Sequence, residues 1–175
     1  MLKADSNYFE KFEKYDFELW RKSLNENLSN IFIVTKTVAN HMLKRKKGSI
    51  INIASDVGVI SPDHRIYEAN KKFNYKGTNF NTPISYSVAK AGIISMIRYL
   101  ATRWAKKGIR VNCISPAGVY KKHDRKFVEQ LSQRISLGRM AKPHELNGAI
   151  VYLCSNASSF VTGHNLIVDG GRTIW

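Results

Sequence analysis

Residues 85–92 read SYSVAKAG and set Tyr86 one helical turn ahead of Lys90. In an α-helix, positions i and i+4 share a face, so a phenol and an ammonium at that spacing project to the same side. The spacing alone decides nothing, because YEANK gives Tyr67 and Lys71 the same separation. Context separates the two pairs. Beyond Lys90, the positions Ile93, Met96, Ile97, Leu100, Ala101 and Trp104 recur three and four apart, which predicts an amphipathic helix with Tyr86 at its head. Tyr67 falls in a polar stretch without periodicity, where nothing holds Lys71 on its side.

Working outward, KKG at 106–108 closes that helix, and IRVNCIS at 109–115 reads as a buried strand that stops at Pro116. Upstream, SIINIA at 49–54 is short, apolar and β-branched, a second buried strand that ends just before Ser55. Trp20, Leu24, Leu28, Ile31, Phe32, Val38 and Met42 predict a long helix, with Gly48 as its stop. The polar, aromatic stretch from Ser55 to Pro83 reads as a long loop, and loops of that length in compact domains are usually functional. Two further helical patterns follow, one around 124–136 and one beginning near Pro143, and HNLIVDGG at 164–171 supplies a third strand and a turn. Helices between continuous apolar strands indicate an α/β fold with a parallel sheet covered on its faces. Ligands of such sheets gather at the carboxyl ends of strands, which is where Ser55 falls.

A hydrophobic share of 43% with 11% aromatics is that of a globular chain, which excludes a disordered one. Cys113 and Cys154 both sit in apolar runs and read as buried core filler in a reducing compartment, with neither a disulfide nor a metal site. The start MLKADSNYFEKFEKYDF lacks the apolar stretch of a signal peptide, and no run approaches the ~18 apolar residues of a membrane span, so a cytoplasmic location without membrane association is expected. The net charge of +15 is dispersed over KRKK, KK, KK and KKHDRK, without a basic helix interleaved with aromatics or a zinc-finger spacing. It reads as solvated surface rather than as a nucleic-acid interface.

In order along the chain, INIAS, YSVAKAG, WRKSLNENLSNIF, GIRVNCISPAGV and the block from GRMAKPHELNG to LIVDGG resemble the short-chain dehydrogenase/reductase family from about Phe17 onward. The resemblance implies a Rossmann-type doubly wound sheet, NAD or NADP as cofactor, and hydride transfer between it and an alcohol or ketone. It implies four catalytic residues, Asn27, Ser55, Tyr86 and Lys90, with Tyr86, Lys90, Pro116, Gly118 and Val119 against the cofactor. The chemistry accounts for the residue types. A free tyrosine titrates near ~10, too high for a base at neutral pH, and an ammonium one turn away is expected to lower it. Ser55 would donate a hydrogen bond to the reacting oxygen. By the same resemblance Lys90 holds the ribose hydroxyls, and Asn27 holds a water linking Lys90 to solvent.

The sequence also departs from the family pattern. No glycine precedes Gly48 and no G-x-G-x-x-G occurs in the 175 residues, so the phosphate-cradling turn of the family is absent. By this reading residues 1–175 form a single truncated domain whose amino-terminal βαβαβ half, with the residue that selects NAD or NADP, is missing. Ser55 and Tyr86 lie 31 positions apart, more than in most members, which makes 55–85 a long substrate-side loop. Its tyrosine, asparagine and lysine content suits a polyhydroxylated, sugar-like substrate. SPDHRIYE and DGGRTIW resemble the subgroup associated with flagellin modification and nonulosonic-acid sugars. Ala117 stands where the family usually has glycine, and its methyl is expected to crowd the nicotinamide. The family pairs subunits through the helices matched at 20–45 and 85–107, so a homo-oligomer is expected. The alternatives are a non-catalytic remnant acting as an oligomerising subunit and a fragment of a 3-oxoacyl-type reductase.

Overall fold

The computed structural model describes residues 6–68, 74–75, 78–79 and 81–175. Two 3₁₀ turns, Ser6–Phe9 and Phe12–Lys14, lead into helix α1, Phe17–Leu24, which Asp16 caps by accepting from the Leu19 N–H at 2.9 Å. A π turn, Asn25–Ser29, passes without a break into α2, Asn30–Arg45. The expected long helix is therefore present, but it starts earlier and carries a wide turn in its middle.

Its stop is not Gly48. Lys46 takes the left-handed conformation at φ 51°, with its N–H and that of Lys47 returning to Leu43 and Met42 carbonyls. Gly48 instead opens strand β1, Gly48–Ile53, at a point where a Cβ would meet the Met42 sulfur at 2.4 Å. Close approach, not a turn, is what requires glycine there.

The long segment after Ser55 is more ordered than a loop. It contains a 3₁₀ turn, Asp56–Gly58, the short helix α3, Arg65–Glu68, and a two-strand ribbon of β2, Asn74–Tyr75, with β3, Thr78–Asn79. Helix α4, Ile84–Trp104, then crosses the sheet and buries Ala89, Ile93, Ile94, Ile97, Ala101 and Trp104. Met96 and Leu100 flank that stripe half-buried. Gly108, left-handed at φ 73°, turns the chain into β4, Ile109–Pro116. Helix α5, Arg125–Ser132, is shorter than its pattern predicts. The element after Pro143 opens as a 3₁₀ turn, Pro143–Leu146, before becoming α6, Asn147–Cys154. Strand β5, Asn165–Val168, completes the sheet.

The three strands run parallel in the order β1-β4-β5, with Gly48 opposite Ile109, Ile53 opposite Ile114 and Cys113 opposite Asn165. Val111 and Cys113 pack with Ile50, Ile93, Ile97 and Ala39 into the main core. This core lies between the sheet and the α2 and α4 layer. On α6, the Leu153 carbonyl accepts from Ser49 and Arg110, and Leu153 itself is fully buried. Burying a side chain the size of Ile93 contributes roughly 1.5–3 kcal/mol, so this layer dominates the energetics. The predicted parallel α/β arrangement holds. Cys113 is buried as expected, but Cys154 is exposed, because its position on α6 faces away from Leu153 and the sheet. Both are free thiols. No helix among the described residues is long and apolar enough to cross a membrane.

Candidate active site

Strand β1 carries one more ladder bond past its end, Ala54 N–H to the Ile114 carbonyl at 2.8 Å, and so delivers Ser55 to the carboxyl edge of the sheet. The chain then folds into the Asp56–Gly58 turn, closed by Gly58 N–H to the Ser55 carbonyl at 3.0 Å. This turn lies directly on the backbone of α4. A Cβ at Gly58 would come within 2.7 Å of the Lys90 carbonyl carbon. Pro83, in extended conformation, ends the loop and starts α4, which sets Tyr86 and Lys90 in its first two turns.

Ser55, Tyr86 and Lys90 therefore converge across the 31 intervening positions. The Ser55 hydroxyl lies close enough to the Tyr86 phenol to act on its ionisation. The Lys90 ammonium lies 5.4 Å from the centre of the Tyr86 ring and donates to the Ile53 carbonyl at 3.0 Å. Ser55 donates to Asp56 Oδ1 at 2.9 Å.

The electrostatics differ from expectation. Burial raises the Tyr86 phenol above its ordinary value, and the Asp56 carboxylate and the Tyr8 and Tyr67 phenols add to the rise. The nearby Ser55 hydroxyl opposes this without overcoming it. Lys90, whose ammonium lies over the ring and is bonded to a backbone carbonyl, is not among the groups behind the shift. Burial also lowers the Lys90 pKa.

Asn27 lies in the π turn, beside Leu28, which packs so closely on α4 that a Cβ at Gly92 would meet it at 2.9 Å. The structure thus brings the Asn27 element to the Tyr86 helix. The Asn27 amide itself donates to the Ser23 carbonyl at 2.9 Å, within its own helix. A π turn of this kind releases a backbone register at one point of a helix and is frequent at functional sites.

Pro116, Gly118 and Val119 follow β4 at the same carboxyl edge as Ser55, held by Ala117 N–H to the Val168 carbonyl and a bridge from Val119 to Ala141. Ala117 is buried. Gly118 is needed for packing, since a Cβ there would meet Leu131 at 2.4 Å. The competing tyrosine is also ordered. Tyr67 on α3 shares a hydrogen bond with Thr82 at 2.6 Å and stacks on Phe127, while Lys71 lies outside the described residues.

Sequence reasoning missed Asp56, Arg172 and Tyr8, all of which bear on Tyr86 or its partners. The first two had signals, an acid directly after the strand-end serine and an arginine directly after a Gly-Gly turn. Beside the Ser55 turn opens a cleft of about 530 Å³, lined by Phe12, Val57, Ser61, Thr82, Ile84 and Ser87 among others. It is apolar with several hydroxyls, and the Ser87 hydroxyl is buried without a hydrogen-bond partner.

A serine at the carboxyl edge of a parallel sheet thus stands beside a tyrosine and a lysine one helical turn apart. Comparison with known proteins shows the family. Residues 4–77 match the family described as short chain dehydrogenase, and residues 73–173 match the related description Enoyl-(Acyl carrier protein) reductase. The chain belongs to the short-chain dehydrogenase/reductase family. It is 34% identical over 172 residues to 2-dehydro-3-deoxy-D-gluconate 5-dehydrogenase of Bacillus subtilis, covering 93% of this chain and 59% of that protein. The NAD-dependent glycerol dehydrogenase of Listeria innocua is 32% identical, with 94% and 60% covered. Among solved structures, a short chain dehydrogenase from Leptospira borgpetersenii with bound NAD+ superposes with a TM-score of 0.83 at 36% identity, covering 94% of this chain and 60% of that one. A gluconate 5-dehydrogenase from Burkholderia cenocepacia, in complex with NADP and tartrate, gives 0.81 at 27% identity over 99% and 63%. The chain thus spans about 60% of the length of the curated relatives it matches.

Proposed function

We propose that Ser55, Tyr86 and Lys90 form the proton-transfer centre of an oxidoreductase that moves hydride between a nicotinamide cofactor, NAD or NADP, and an alcohol or ketone of a small sugar-like molecule. The observation that carries this reading is the placement of Ser55 beside the Tyr86 phenol at the carboxyl edge of the sheet, with Lys90 over the same ring. In the reducing direction the carbonyl carbon accepts a hydride, its oxygen accepts the proton of Tyr86 Oη, and the phenolate remains beside the Lys90 ammonium. The nicotinamide, when bound, supplies that hydride. A phenol carries its proton at neutral pH, so Tyr86 can serve as the acid of a reduction.

The residues present fit the nicotinamide side of such a cofactor. Lys90 has three N–H groups and gives one to the Ile53 carbonyl, which leaves donors for ribose hydroxyls. Pro116, Gly118 and Val119 border the same edge, and Asn27 stands on the neighbouring helix. The hydroxyl-bearing cleft beside Ser55 and the sugar-acid and polyol dehydrogenases among the relatives support a sugar-like substrate. Those relatives do not single out the flagellin-modification subgroup. The reading includes self-association in the cytoplasm. Exposed Phe32, Ile33 and Val34 on α2 and Tyr99 on α4 support association, which light scattering would read.

The test is nicotinamide oxidation by the purified chain at millimolar cofactor, with ketoses, keto-sugar acids and a 3-oxoacyl thioester as substrates. Turnover is expected with the sugar-like compounds. Tyr86→Phe should lower it by about 10²–10⁴-fold, and Tyr67→Phe should leave it nearly unchanged. Equal losses in the two variants, or turnover confined to the thioester, would refute the reading.

A further inference from the structure

We infer that the buried Arg172–Asp56 ion pair is a positioning device for Ser55, one that commits the serine proton to Asp56 and turns it away from Tyr86. This rests on the proposed role of Ser55 and Tyr86 but is tested separately from it.

The hydrogen bonds set the direction. Asp56 Oδ1 accepts from the Ser55 hydroxyl at 2.9 Å and from the Val57 N–H at 2.8 Å, and Oδ2 accepts from the Arg172 guanidinium. A serine hydroxyl has one proton to give. With that proton committed to Asp56, Ser55 Oγ has only lone pairs to offer the phenol. Both side chains of the pair are almost wholly buried, 4% exposed for Asp56 and 7% for Arg172. A buried carboxylate without its cation would be strongly unfavourable, so Arg172 is the partner that holds Asp56 in place.

The carboxy-terminal turn is built to place that arginine. Gly170 and Gly171 take φ of +65° and +85°, a conformation other residues adopt at a cost. Asp169 then clamps the turn by accepting from the Gly171 N–H at 2.9 Å and the Thr173 N–H at 2.7 Å. The two partners are 116 positions apart in sequence, so the end of the chain closes onto the turn that follows the strand-end serine.

The groups that face Tyr86 are Ser55 and Asp56 from the turn after β1, Lys90 from its own helix, Tyr8 from the amino-terminal turn and Tyr67 from α3. Of these, Asp56 alone is an anion, and it is the one whose hydrogen bond fixes the serine. Removing it has two effects of one sign. The phenolate loses a repelling charge, and the Ser55 proton becomes free to turn toward it.

The experiment is a pH titration of the Tyr86 signal by NMR of protein carrying isotope-labelled tyrosine, assigned by its loss in Tyr86→Phe. In the unaltered chain the midpoint should lie above that of free tyrosine. It should fall in Asp56→Asn, and fall again in the double variant Asp56→Leu/Arg172→Met, which replaces the ion pair by an apolar pair and keeps the fold where the single change leaves Arg172 unpaired. A folded double variant whose Tyr86 midpoint stays in place or rises would overturn the inference. In turnover assays both variants should lower kcat with KM unchanged. A protein that turns over nothing while its Tyr86 midpoint still falls in the variants would count against the enzyme reading and for the positioning device.

Discussion

Gly58→Ala tests whether the Ser55 turn must lie on the α4 backbone. The added Cβ would stand 2.7 Å from the Lys90 carbonyl carbon and 2.9 Å from the Ala91 nitrogen, and both are backbone atoms inside a helix. Neither can swing aside as a side chain would. Relaxing the nearer approach to the 3.4 Å of ordinary contact requires the turn to retreat by about 0.7 Å, carrying Ser55 with it. Overpacking of this kind costs roughly 1–3 kcal/mol. A displacement of that size in a positioned hydroxyl should lower turnover by on the order of ten- to a hundredfold. Gly148→Ala on α6 is the control of opposite sign. A Cβ there meets nothing within 4 Å, and replacing a glycine in the first turn of a helix should stabilise by at most roughly 0.5–1 kcal/mol. Urea unfolding of both variants reads the stabilities, and the Tyr86 NMR signal reads the displacement. Gly58→Ala as stable as the parent, with the Tyr86 signal unmoved, would show that the turn does not depend on this contact.

Two further outcomes can be checked on the same material. Native chain should react with one equivalent of a thiol reagent, at exposed Cys154, while Cys113, fully buried and with its pKa pushed up to about 11 by burial, should react only on unfolding; two fast thiols would contradict the packing of β4. Asp63, held well below its ordinary 3.8 by hydrogen bonds from Arg65 and Arg134, ties the long segment to the turn after α5. A carboxyl whose pKa is depressed on folding adds stability that is present above 3.8 and is lost as pH falls toward its folded value. Asp63→Asn should therefore be less stable than the parent near neutrality and equal to it at strongly acid pH, and a difference that persists in acid would refute that account.

The sheet and the placement of Tyr86 and Lys90 on one helix were legible because both are local patterns. Three apolar runs with polar termini predict β1, β4 and β5 to within a residue or two, and a stripe from Ile93 to Trp104 puts Tyr86 on a helix rather than in a loop. The helix stop was misplaced because Lys46 adopts a conformation that sequence reasoning assigns to glycine, while the nearby glycine is there for Met42. Cys154 was misjudged because an apolar run on a helix says only that one face is buried. Val151, Tyr152 and Cys154 lie on the exposed side of that run, and Leu153 faces the sheet.

The phenol's ionisation was illegible for a deeper reason. Spacing identifies which residues share a face, but a pKa depends on everything that surrounds the group. At Tyr86 that surrounding comes from four separate stretches of chain, the turn at 55–56, the amino-terminal turn, α3 and its own helix, and through Asp56 from Arg172 at the far end. The lysine one turn away was the only charge that the local pattern displayed, so sequence reasoning gave it the whole effect. In the folded chain burial and a carboxylate set the direction, and they raise the phenol rather than lower it. What the motif does thus depends on Asp56, a residue with no motif of its own.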